Sequence, residues 1–345
     1  MGIICVHTYN DIISVENLLD AWGEFQRGKK KKVDVMEFKR HFMNNIFSLH
    51  NDLKNKVYEH GNYEYFVIND PKRRDIHKAS VRDRLLHHAL YRKLYPFYDK
   101  TFITDSYSCR DNKGTHRAMK RFDVFARKES KNHTKTVWVL KCDIRKFFAS
   151  INHEILLNIL RNRIQDEDIL RLLENIIESF DSGVKGIGLI ASGDNDATPD
   201  QAKIGLGLPL GNLTSQLLVN IYMNEFDQHV KHILKVKYYI RYADDFVFMS
   251  KDRNYLEDLC QKVEDFLTQE LKLSLHPDKV FTKTLASGVD FLGWVHFPKH
   301  KVLRTVTKKR VLRKVSEKNL ASYLGVLSHG SGYGLSKKIS RDYDL

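Results

Sequence analysis

The stretch YIRYADDFVF at residues 239–248 constrains the fold most, because it places two adjacent carboxylates inside an aromatic and β-branched run. Burying charge is costly, so Asp244 and Asp245 need a solvated position or a partner. The apolar segments on either side are typical of two short strands, with Ala-Asp-Asp at the tight turn between them. We therefore predict a hairpin that presents two anions at one point.

Helical and strand-like patterns are mixed along the chain, which indicates an α+β fold. Helices are predicted twice within residues 12–60 and once each over 82–95, 153–163, 215–232 and 254–271. Strands are predicted at 63–69, 279–284, 289–297 and from residue 136 to Asp143, which places Asp143 at the carboxyl end of a strand. Residues 181–205 are rich in Gly, Asp, Ser and Ala and predict a long loop, and residues 298–345 predict helices with a kink at 328–334.

The charge balance favours a polyanionic partner. The chain has 57 Lys and Arg against 43 Asp and Glu, a formal net charge of +14, as expected for a protein that binds nucleic acid or an anionic membrane. No apolar stretch reaches the roughly 18 residues of a membrane span, and the N-terminus lacks the pattern of a signal peptide. We therefore expect a soluble, cytoplasmic protein without a membrane partner. The four cysteines and sixteen histidines show no zinc-type spacing.

Three carboxylates are candidate metal ligands: Asp143 at the end of its strand, and Asp244 with Asp245 at the hairpin turn. Adjacent like charges raise each other's pKa unless a cation neutralises them, and oxygen-only ligands suit Mg²⁺. Two such ions roughly 4 Å apart can support an in-line displacement at phosphorus. An isolated Asp-Asp pair is more often an exposed turn, so the surrounding motifs decide between the two interpretations.

Seven segments resemble, in order, the motifs of bacterial reverse transcriptases. They are KRRDIHKASVRDR at 72–84, SYSCRDNKGTHRA at 106–118, KCDIRKFFASINH at 141–153, GLPLGNLTSQLLVNIYMNEFD at 207–227, YADD at 242–245, LHPDKV at 275–280 and FLGW at 291–294. The resemblance implies an RNA-directed DNA polymerase with a right-hand fold. It implies a helical N-terminal extension at 1–60, fingers at 61–134, a palm with interleaved fingers elements at 135–297 and a small helical thumb at 298–345.

The resemblance also assigns the catalytic residues. It makes Asp143 and Asp244 the main ligands of two Mg²⁺ ions, for which Mn²⁺ can substitute, with Asp245 beside them and the backbone carbonyl of Ile144 as a further ligand. Lys279 matches the lysine that protonates the leaving pyrophosphate. The alternative for Lys279 is an ordinary surface lysine.

The substrate contacts follow from the same resemblance. Phe148 matches the aromatic residue that lies under the sugar and rejects a 2′-hydroxyl, which implies a preference for deoxynucleotides; the alternative is a core residue. Arg74 and Lys72 match the fingers cations that contact the triphosphate. Phe291 and Gly293 belong to the segment that resembles the primer grip, where a glycine permits close backbone approach to the primer end.

The segment around residue 212 resembles one subfamily. Group II intron reverse transcriptases usually have Gln-Gly followed by Ser-Pro at this point, whereas Leu210 to Gln216 has the form Leu-Gly-x-x-x-Ser-Gln. This form is similar to the reverse transcriptases of diversity-generating retroelements, which copy a template-repeat RNA into cDNA mutated at adenines. The resemblance implies that Arg74, Leu210 and Gln216 loosen selection opposite template adenine.

The partners implied by this resemblance are the template RNA, the RNA–DNA hybrid, dNTPs and an oligomer of a small basic accessory variability protein. Three alternatives within the enzyme class stay open: a retron, an antiphage-defence or a group II intron-like reverse transcriptase. From another class, an RNA-binding module without catalysis would retain the fold and the positive charge. The retained set of Asp143, Asp244, Asp245 and Phe148 speaks against that module.

Overall fold

The computed structural model describes residues 4–69, 73–180 and 205–342. The helices, in chain order, are α1 (Tyr9–Ile13), α2 (Val15–Phe25), α3 (Val33–Arg40), α4 (Phe42–Lys54), α5 (Val81–Asp99), α6 (Thr115–Glu129), α7 (His153–Arg161), α8 (Glu167–Glu178), α9 (Leu213–Gln228), α10 (Arg253–Gln269), α11 (Thr305–Lys314), α12 (Leu320–Leu327) and α13 (Tyr333–Asp342). The strands are β1 (Glu64–Ile68), β2 (Arg74–Lys78), β3 (Trp138–Asp143), β4 (Tyr239–Tyr242), β5 (Asp245–Ser250), β6 (Phe281–Thr284), β7 (Val289–Phe291), β8 (Trp294–His296) and β9 (Lys301–Leu303). The predicted mixture of helices and sheets is confirmed.

The chain divides into two compact units, each made of three segments. Unit 1 contains Met1–Ile103, Arg145–Asp227 and Leu267–Leu273, and unit 2 contains Thr104–Ile144, Gln228–Phe266 and Ser274–Leu345. The chain therefore passes between the units directly after Ile144, one residue beyond the strand that ends at Asp143.

Unit 1 is mainly helical and carries one hairpin, in which β1 pairs antiparallel with β2. The prediction of two helices over residues 12–60 is wrong, because the segment contains the end of α1 and all of α2, α3 and α4. Ser14 starts a new helix, since its side chain accepts a hydrogen bond from the backbone N–H of Asn17. His41 separates α3 from α4 with non-helical backbone angles of φ −116° and ψ 38°.

The centre of unit 2 is a four-stranded antiparallel sheet in the order β4-β5-β3-β6. Helix α6 packs on this sheet, where the buried rings of Phe122 and Phe125 join a core with Val139 and Val247. Four consecutive residues of β5, from Phe246 to Met249, are buried, as in a strand covered on both faces. This double coverage explains the aromatic and β-branched run that the sequence shows on the carboxyl side of the aspartates.

A second sheet in unit 2 has the order β7-β8-β9, and the C-terminal helices pack against it. The prediction of one strand over 289–297 is wrong, because a tight turn at Leu292 and Gly293 divides it into β7 and β8. Trp294 and Leu303 form a buried cluster with residues of α11, α12 and α13. Gly330 lies against Trp294, where an added Cβ would collide with the indole ring. The predicted helices at 298–345 and the break near residue 330 are present, but the strand β9 at the start of this range was not predicted.

Two further predictions concern regions outside the sheets. The loop predicted at 181–205 lies outside the described residues except for Gly205. No helix within the described residues is long and apolar enough to cross a membrane.

Candidate active site

The hairpin predicted at residues 239–248 is present, with a turn of two residues rather than three. Strand β4 ends at Tyr242 and β5 begins at Asp245, so Ala243 and Asp244 form the turn. Ala243 has a φ of 57°, in the left-handed region that a residue with a Cβ seldom adopts. Strained backbone of this kind is concentrated at functional sites, where surrounding contacts hold it.

A buried arginine holds this turn in place. Arg241 is fully buried, and its Nη1 donates a 3.2 Å hydrogen bond to the carbonyl oxygen of Ala243. Its Nη2 donates to Oγ of Ser106 at 3.0 Å. Arg241 therefore ties the turn to a segment that is 135 residues away in the chain, a role that its place in a strand-like pattern does not reveal.

The register of the sheet brings the predicted carboxylates together at one end of the strands. Asp143, the last residue of β3, lies opposite Asp245, the first residue of β5. The backbone N–H of Ile144 donates to the carbonyl oxygen of Asp244 at 3.2 Å, and that of His276 donates to the carbonyl oxygen of Asp143 at 2.8 Å. Asp143, Asp244 and Asp245 are therefore neighbours although a hundred residues separate Asp143 from Asp244.

Two lysines contact these carboxylates. Nζ of Lys279 lies 2.8 Å from Oδ1 of Asp143, and Nζ of Lys141 lies 3.3 Å from Oδ2 of Asp245. Oδ1 of Asp245 is buried without a hydrogen-bond partner. Lys141 was not among the predicted site residues. The signal that could have identified it is its place two residues before Asp143, because alternate residues of a strand face the same side of a sheet.

The segment that resembles the primer grip forms the turn between β7 and β8. Leu292 and Gly293 have φ values of 52° and 85°, as the central residues of a type I′ hairpin turn require. A Cβ added at Gly293 would meet no atom within 4 Å, so the backbone conformation, rather than crowding, accounts for this glycine. The ring of Phe291 is fully buried and stacks on Phe122 at 5.5 Å, so only the backbone of Phe291 can contact a primer.

Unit 1 contains the predicted substrate contacts. Phe148 is half-buried in a 3₁₀ turn, and its neighbour Phe147 is the buried member of the pair, with the two rings 5.6 Å apart at 77°. The carbonyl oxygen of Phe148 accepts a 2.8 Å hydrogen bond from the backbone N–H of Leu208. The backbone of Phe148 is thus hydrogen-bonded to the segment that continues to Leu210.

A second contact within unit 1 joins the Leu210 segment to the hairpin that carries Arg74. The carbonyl oxygen of Leu210 accepts a 3.1 Å hydrogen bond from the backbone N–H of His77, on the strand that begins at the exposed Arg74. Gln216 is half-buried in the first turns of α9. Lys72 lies outside the described residues. Within unit 1, Arg74, Leu210 and Phe148 therefore lie on directly hydrogen-bonded segments.

The geometry agrees with a comparison to known families. The family model described as reverse transcriptase (RNA-dependent DNA polymerase) matches residues 68–296, about two thirds of the chain. The chain belongs to the reverse transcriptase family. This match confirms the prediction of an RNA-directed DNA polymerase and is consistent with a polymerase fold.

Individual relatives of this reverse transcriptase include bacterial and intron-encoded proteins. Protein YkfC of Escherichia coli is 26% identical over 73% of this chain and 69% of its own length. The retron Ec83 reverse transcriptase of Escherichia coli is 30% identical over 40% of each chain. The group II intron-encoded protein LtrA of Lactococcus lactis is 24% identical over 49% of this chain, which spans only 25% of that protein.

The electrostatics of the reverse transcriptase site are dominated by the burial of Asp245. The pKa of Asp245 is raised to about 7, chiefly by burial; the Lys141 ammonium lowers it, and the neighbouring Asp143 and Asp244 carboxylates contribute to the rise. The pKa of Asp245 therefore lies near neutral pH, well above the usual value of 3.8. A carboxyl group with this pKa is poised to be protonated, or to remain ionised when a cation neutralises it.

Stability should therefore depend on pH through Asp245. The folded state binds more protons than the unfolded chain between pH 3.8 and about 7, so the free energy of unfolding falls as the pH rises through this interval. Asp245→Asn cannot ionise, and we expect it to raise the free energy of unfolding at pH 8 by roughly 1–3 kcal/mol and to remove this part of the pH dependence. Urea unfolding in EDTA at pH 4, 6 and 8 measures both effects.

The matched control is Asp258→Asn, which removes an exposed carboxylate from α10 and should change the free energy of unfolding by less than about 0.5 kcal/mol. A wild-type pH dependence in Asp245→Asn would show that Asp245 does not titrate in this interval.

The reverse transcriptase family generally uses divalent metal ions. Across the described ranges, no group of three or more His, Cys, Asp or Glu side chains is arranged as a metal site. Two lysine ammonium groups contact the carboxylates, while Oδ1 of Asp245 is left without a hydrogen-bond partner. Carboxylate oxygens gathered at one end of the sheet, one of them unpartnered, are the donors that Mg²⁺ takes. The residues present therefore fit a divalent cation.

Proposed function

We propose that this chain extends a DNA primer on an RNA template by two-metal nucleotidyl transfer, with Asp143, Asp244 and Asp245 at its centre. The observation that carries the proposal is the register that places Asp143 opposite Asp245 beside the strained turn at Asp244. The primer, the RNA–DNA hybrid and the dNTPs are then its substrates. In this proposal residues 61–134 act as fingers, 135–297 as the palm and 298–345 as the thumb.

Each residue of the site has a proposed task. Asp143 and Asp244 would hold two Mg²⁺ ions, or Mn²⁺ in their place, together with Asp245 and the carbonyl oxygen of Ile144. When bound, such ions increase the nucleophilicity of a primer 3′-hydroxyl and neutralise the charge of the leaving pyrophosphate. Lys279, which lies 2.8 Å from Asp143, donates a proton to that pyrophosphate.

The substrate contacts are proposed for unit 1. Arg74 and Lys72 bind the triphosphate, for which Arg offers a bidentate fork and Lys a point charge. Phe148 packs under the sugar and excludes a 2′-hydroxyl. Phe291 and Gly293, in unit 2, offer backbone to the primer end through the turn between β7 and β8.

The proposed role of Phe148 predicts a change in sugar selection. Phe148→Ala should lower the preference for dATP over ATP, expressed as the ratio of their kcat/KM values, by roughly 10–100-fold, because the ring that meets the 2′-hydroxyl is removed. Phe148→Tyr keeps the ring and should keep the preference within about threefold. Single-nucleotide primer extension with each triphosphate measures the ratio. An unchanged ratio in an active Phe148→Ala protein would assign the selection to another residue.

The finer proposal is that this polymerase makes cDNA that is mutated at template adenines for targeted gene diversification, working with a small basic accessory variability protein. The Leu-Gly-x-x-x-Ser-Gln form of residues 210–216 supports it. The hydrogen bond between Leu210 and His77 gives it a structural basis, because it joins that segment to the strand that begins at Arg74. Arg74, Leu210 and Gln216 would then form one surface that tolerates mispairing.

The second candidate is a retron, antiphage-defence or group II intron-like role; the relatives reported above include a retron reverse transcriptase and a group II intron-encoded protein. The two candidates are separated by sequencing cDNA. The purified protein makes this cDNA on the noncoding RNA encoded beside its gene, once with and once without the neighbouring small basic protein. Substitutions concentrated at template adenines are expected for the diversifying role. Faithful cDNA would contradict that role and support the second candidate.

A further inference from the structure

Unit 2 contains a second feature that nucleotidyl transfer does not use, which we call the basic cavity. It has a volume of about 460 Å³ and is lined by residues of α6, of the turn after β8 and of the break between α12 and α13. Its charged lining comprises four cations and one acid, namely Lys120, Arg127, Lys299, Lys301 and Asp123. The volume lies within the roughly 300–1,000 Å³ range of ligand pockets, so the cavity has room for a small anionic group.

The basic cavity is separate from the candidate active site. Oγ1 of Thr115, the first residue of α6, donates a 3.2 Å hydrogen bond to the hydroxyl of Tyr242, next to the aspartate turn. Arg127 lies near the other end of the same helix, about 18 Å further along its axis at 1.5 Å per residue. The turn at Phe297–His300 follows the end of β8 opposite to Gly293. The cavity therefore lies towards the far ends of α6 and β8.

A stacked pair of rings forms one side of the basic cavity. The rings of Phe297 and His300 lie 4.7 Å apart at 8°, and the backbone N–H of Phe297 donates to the carbonyl oxygen of His300 at 2.8 Å. Phe297 is fixed from behind, because a Cβ at Gly288 would come within 2.8 Å of its ring. His300 is exposed, so it offers an aromatic surface on which a base can stack.

In the part of the chain that the structure describes, the acid of the basic cavity is paired, whereas two of its lysines are not. Asp123 accepts hydrogen bonds from Nδ1 of His296 and Nζ of Lys301, both at 2.9 Å, so the one acid is already neutralised. Within the described residues, neither Lys120 nor Lys299 forms an ion pair. Two exposed lysines beside an aromatic platform are the combination by which single-stranded nucleic acid is bound, with phosphates on the cations and bases on the rings.

We propose that the basic cavity binds one unstacked nucleotide of single-stranded RNA, with its base on His300 and its flanking phosphates at Lys120 and Lys299. A basic protein would be repelled by this lining, so the cavity is not assigned to the accessory protein. The proposal rests on the proposed function only in naming RNA as the strand. The bound nucleotide lies outside the hybrid, since an unstacked base is available only in single-stranded RNA.

The test is the affinity of the full chain for a fluorescein-labelled 15-nucleotide single-stranded RNA, followed by anisotropy in EDTA without dNTPs. We expect Lys299→Glu to weaken binding about tenfold and to lower the slope of log affinity against log salt by about one. The matched control is Lys262→Glu, the same charge change at an exposed position of α10, and it should change the affinity less than about twofold. His300→Ala should weaken binding at least about fivefold, and His300→Phe should restore it to within twofold of the wild type.

A blunt RNA–DNA hybrid of 15 base pairs is the second probe, and on it Lys299→Glu and Lys262→Glu should behave alike. Equal losses for the two lysine variants on single-stranded RNA, no loss in His300→Ala, or an equally large loss on the hybrid would each overturn the proposal. The binding assay contains no metal and no dNTPs, so its result does not depend on polymerisation. A protein that fails to polymerise in a separate assay can therefore still confirm or contradict the RNA site. Thermal unfolding of each variant shows whether it is folded.

Discussion

Asp244→Asn should reduce the rate of nucleotide incorporation by at least about a thousandfold, which corresponds to the several kcal/mol of transition-state stabilisation that a bound metal ion supplies. Asp244 lies in the turn between β4 and β5, with its backbone carbonyl fixed by the N–H of Ile144 at 3.2 Å. The substitution keeps the size of the side chain and removes only the negative charge. Single-turnover primer extension on an RNA template measures the rate.

The protein fold should survive this change, because removing one carboxylate from a cluster of three lowers the repulsion among them. Asp258→Asn on α10 is the control, since it removes an exposed carboxylate from the same unit and should leave the rate within about twofold of the wild type. A rate for Asp244→Asn within tenfold of the wild-type rate would show that Asp244 does not hold a catalytic metal ion.

Lys279→Met should lower the rate of incorporation by about a hundredfold or more, the range that a general acid contributes. Nζ of Lys279 lies 2.8 Å from Oδ1 of Asp143, so an effect on rate has two possible sources: loss of a proton donor or loss of an ion pair. Lys279→Arg separates them, because an arginine keeps the positive charge and is effectively never deprotonated. A proton-donating role predicts that Lys279→Arg is nearly as slow as Lys279→Met in rapid-quench measurements.

Lys283→Met is the control for this pair, since Lys283 is exposed on β6 and contacts the ring of Phe281 rather than a carboxylate. It should leave the rate within about twofold of the wild type. Wild-type rates in Lys279→Arg together with slow Lys279→Met would assign Lys279 to positioning Asp143 by charge alone.

Local patterns predicted those parts of the fold that depend on neighbouring residues. The hairpin around Asp244 and the strand that ends at Asp143 could be predicted because short aromatic and β-branched runs and the turn residues between them are encoded within a few positions. The split of β7 from β8 was missed because Leu292 adopts a positive φ of 52°, which its residue type disfavours and only the surrounding sheet enforces. The division of the N-terminal region into four helices was missed for a similar reason, since Ser14 starts α2 without breaking the hydrophobic pattern.

In the candidate site, too, the sequence predicted local features but not contacts that depend on the fold. The residue types and spacing of Asp143, Asp244 and Asp245 singled them out, whereas their juxtaposition depends on the register of β3 against β5. Arg241 and Lys141 were not predicted because their functions depend on contacts that the fold makes, from Arg241 to Ala243 and Ser106, and from Lys141 across the sheet to Asp245. From the sequence alone, an arginine inside a strand is expected at an edge or facing solvent, because arginine is seldom fully buried. Only the fold reveals that it supports the turn.

The most direct measurement is extension of a radiolabelled DNA primer on an RNA template by the purified protein with Mg²⁺ and dNTPs, beside Asp244→Asn. We predict template-dependent addition of deoxynucleotides that stops when EDTA is added and is absent in the variant. No extension by the folded wild-type protein with Mg²⁺ or Mn²⁺, or extension that continues unchanged in Asp244→Asn, would contradict nucleotidyl transfer at this turn.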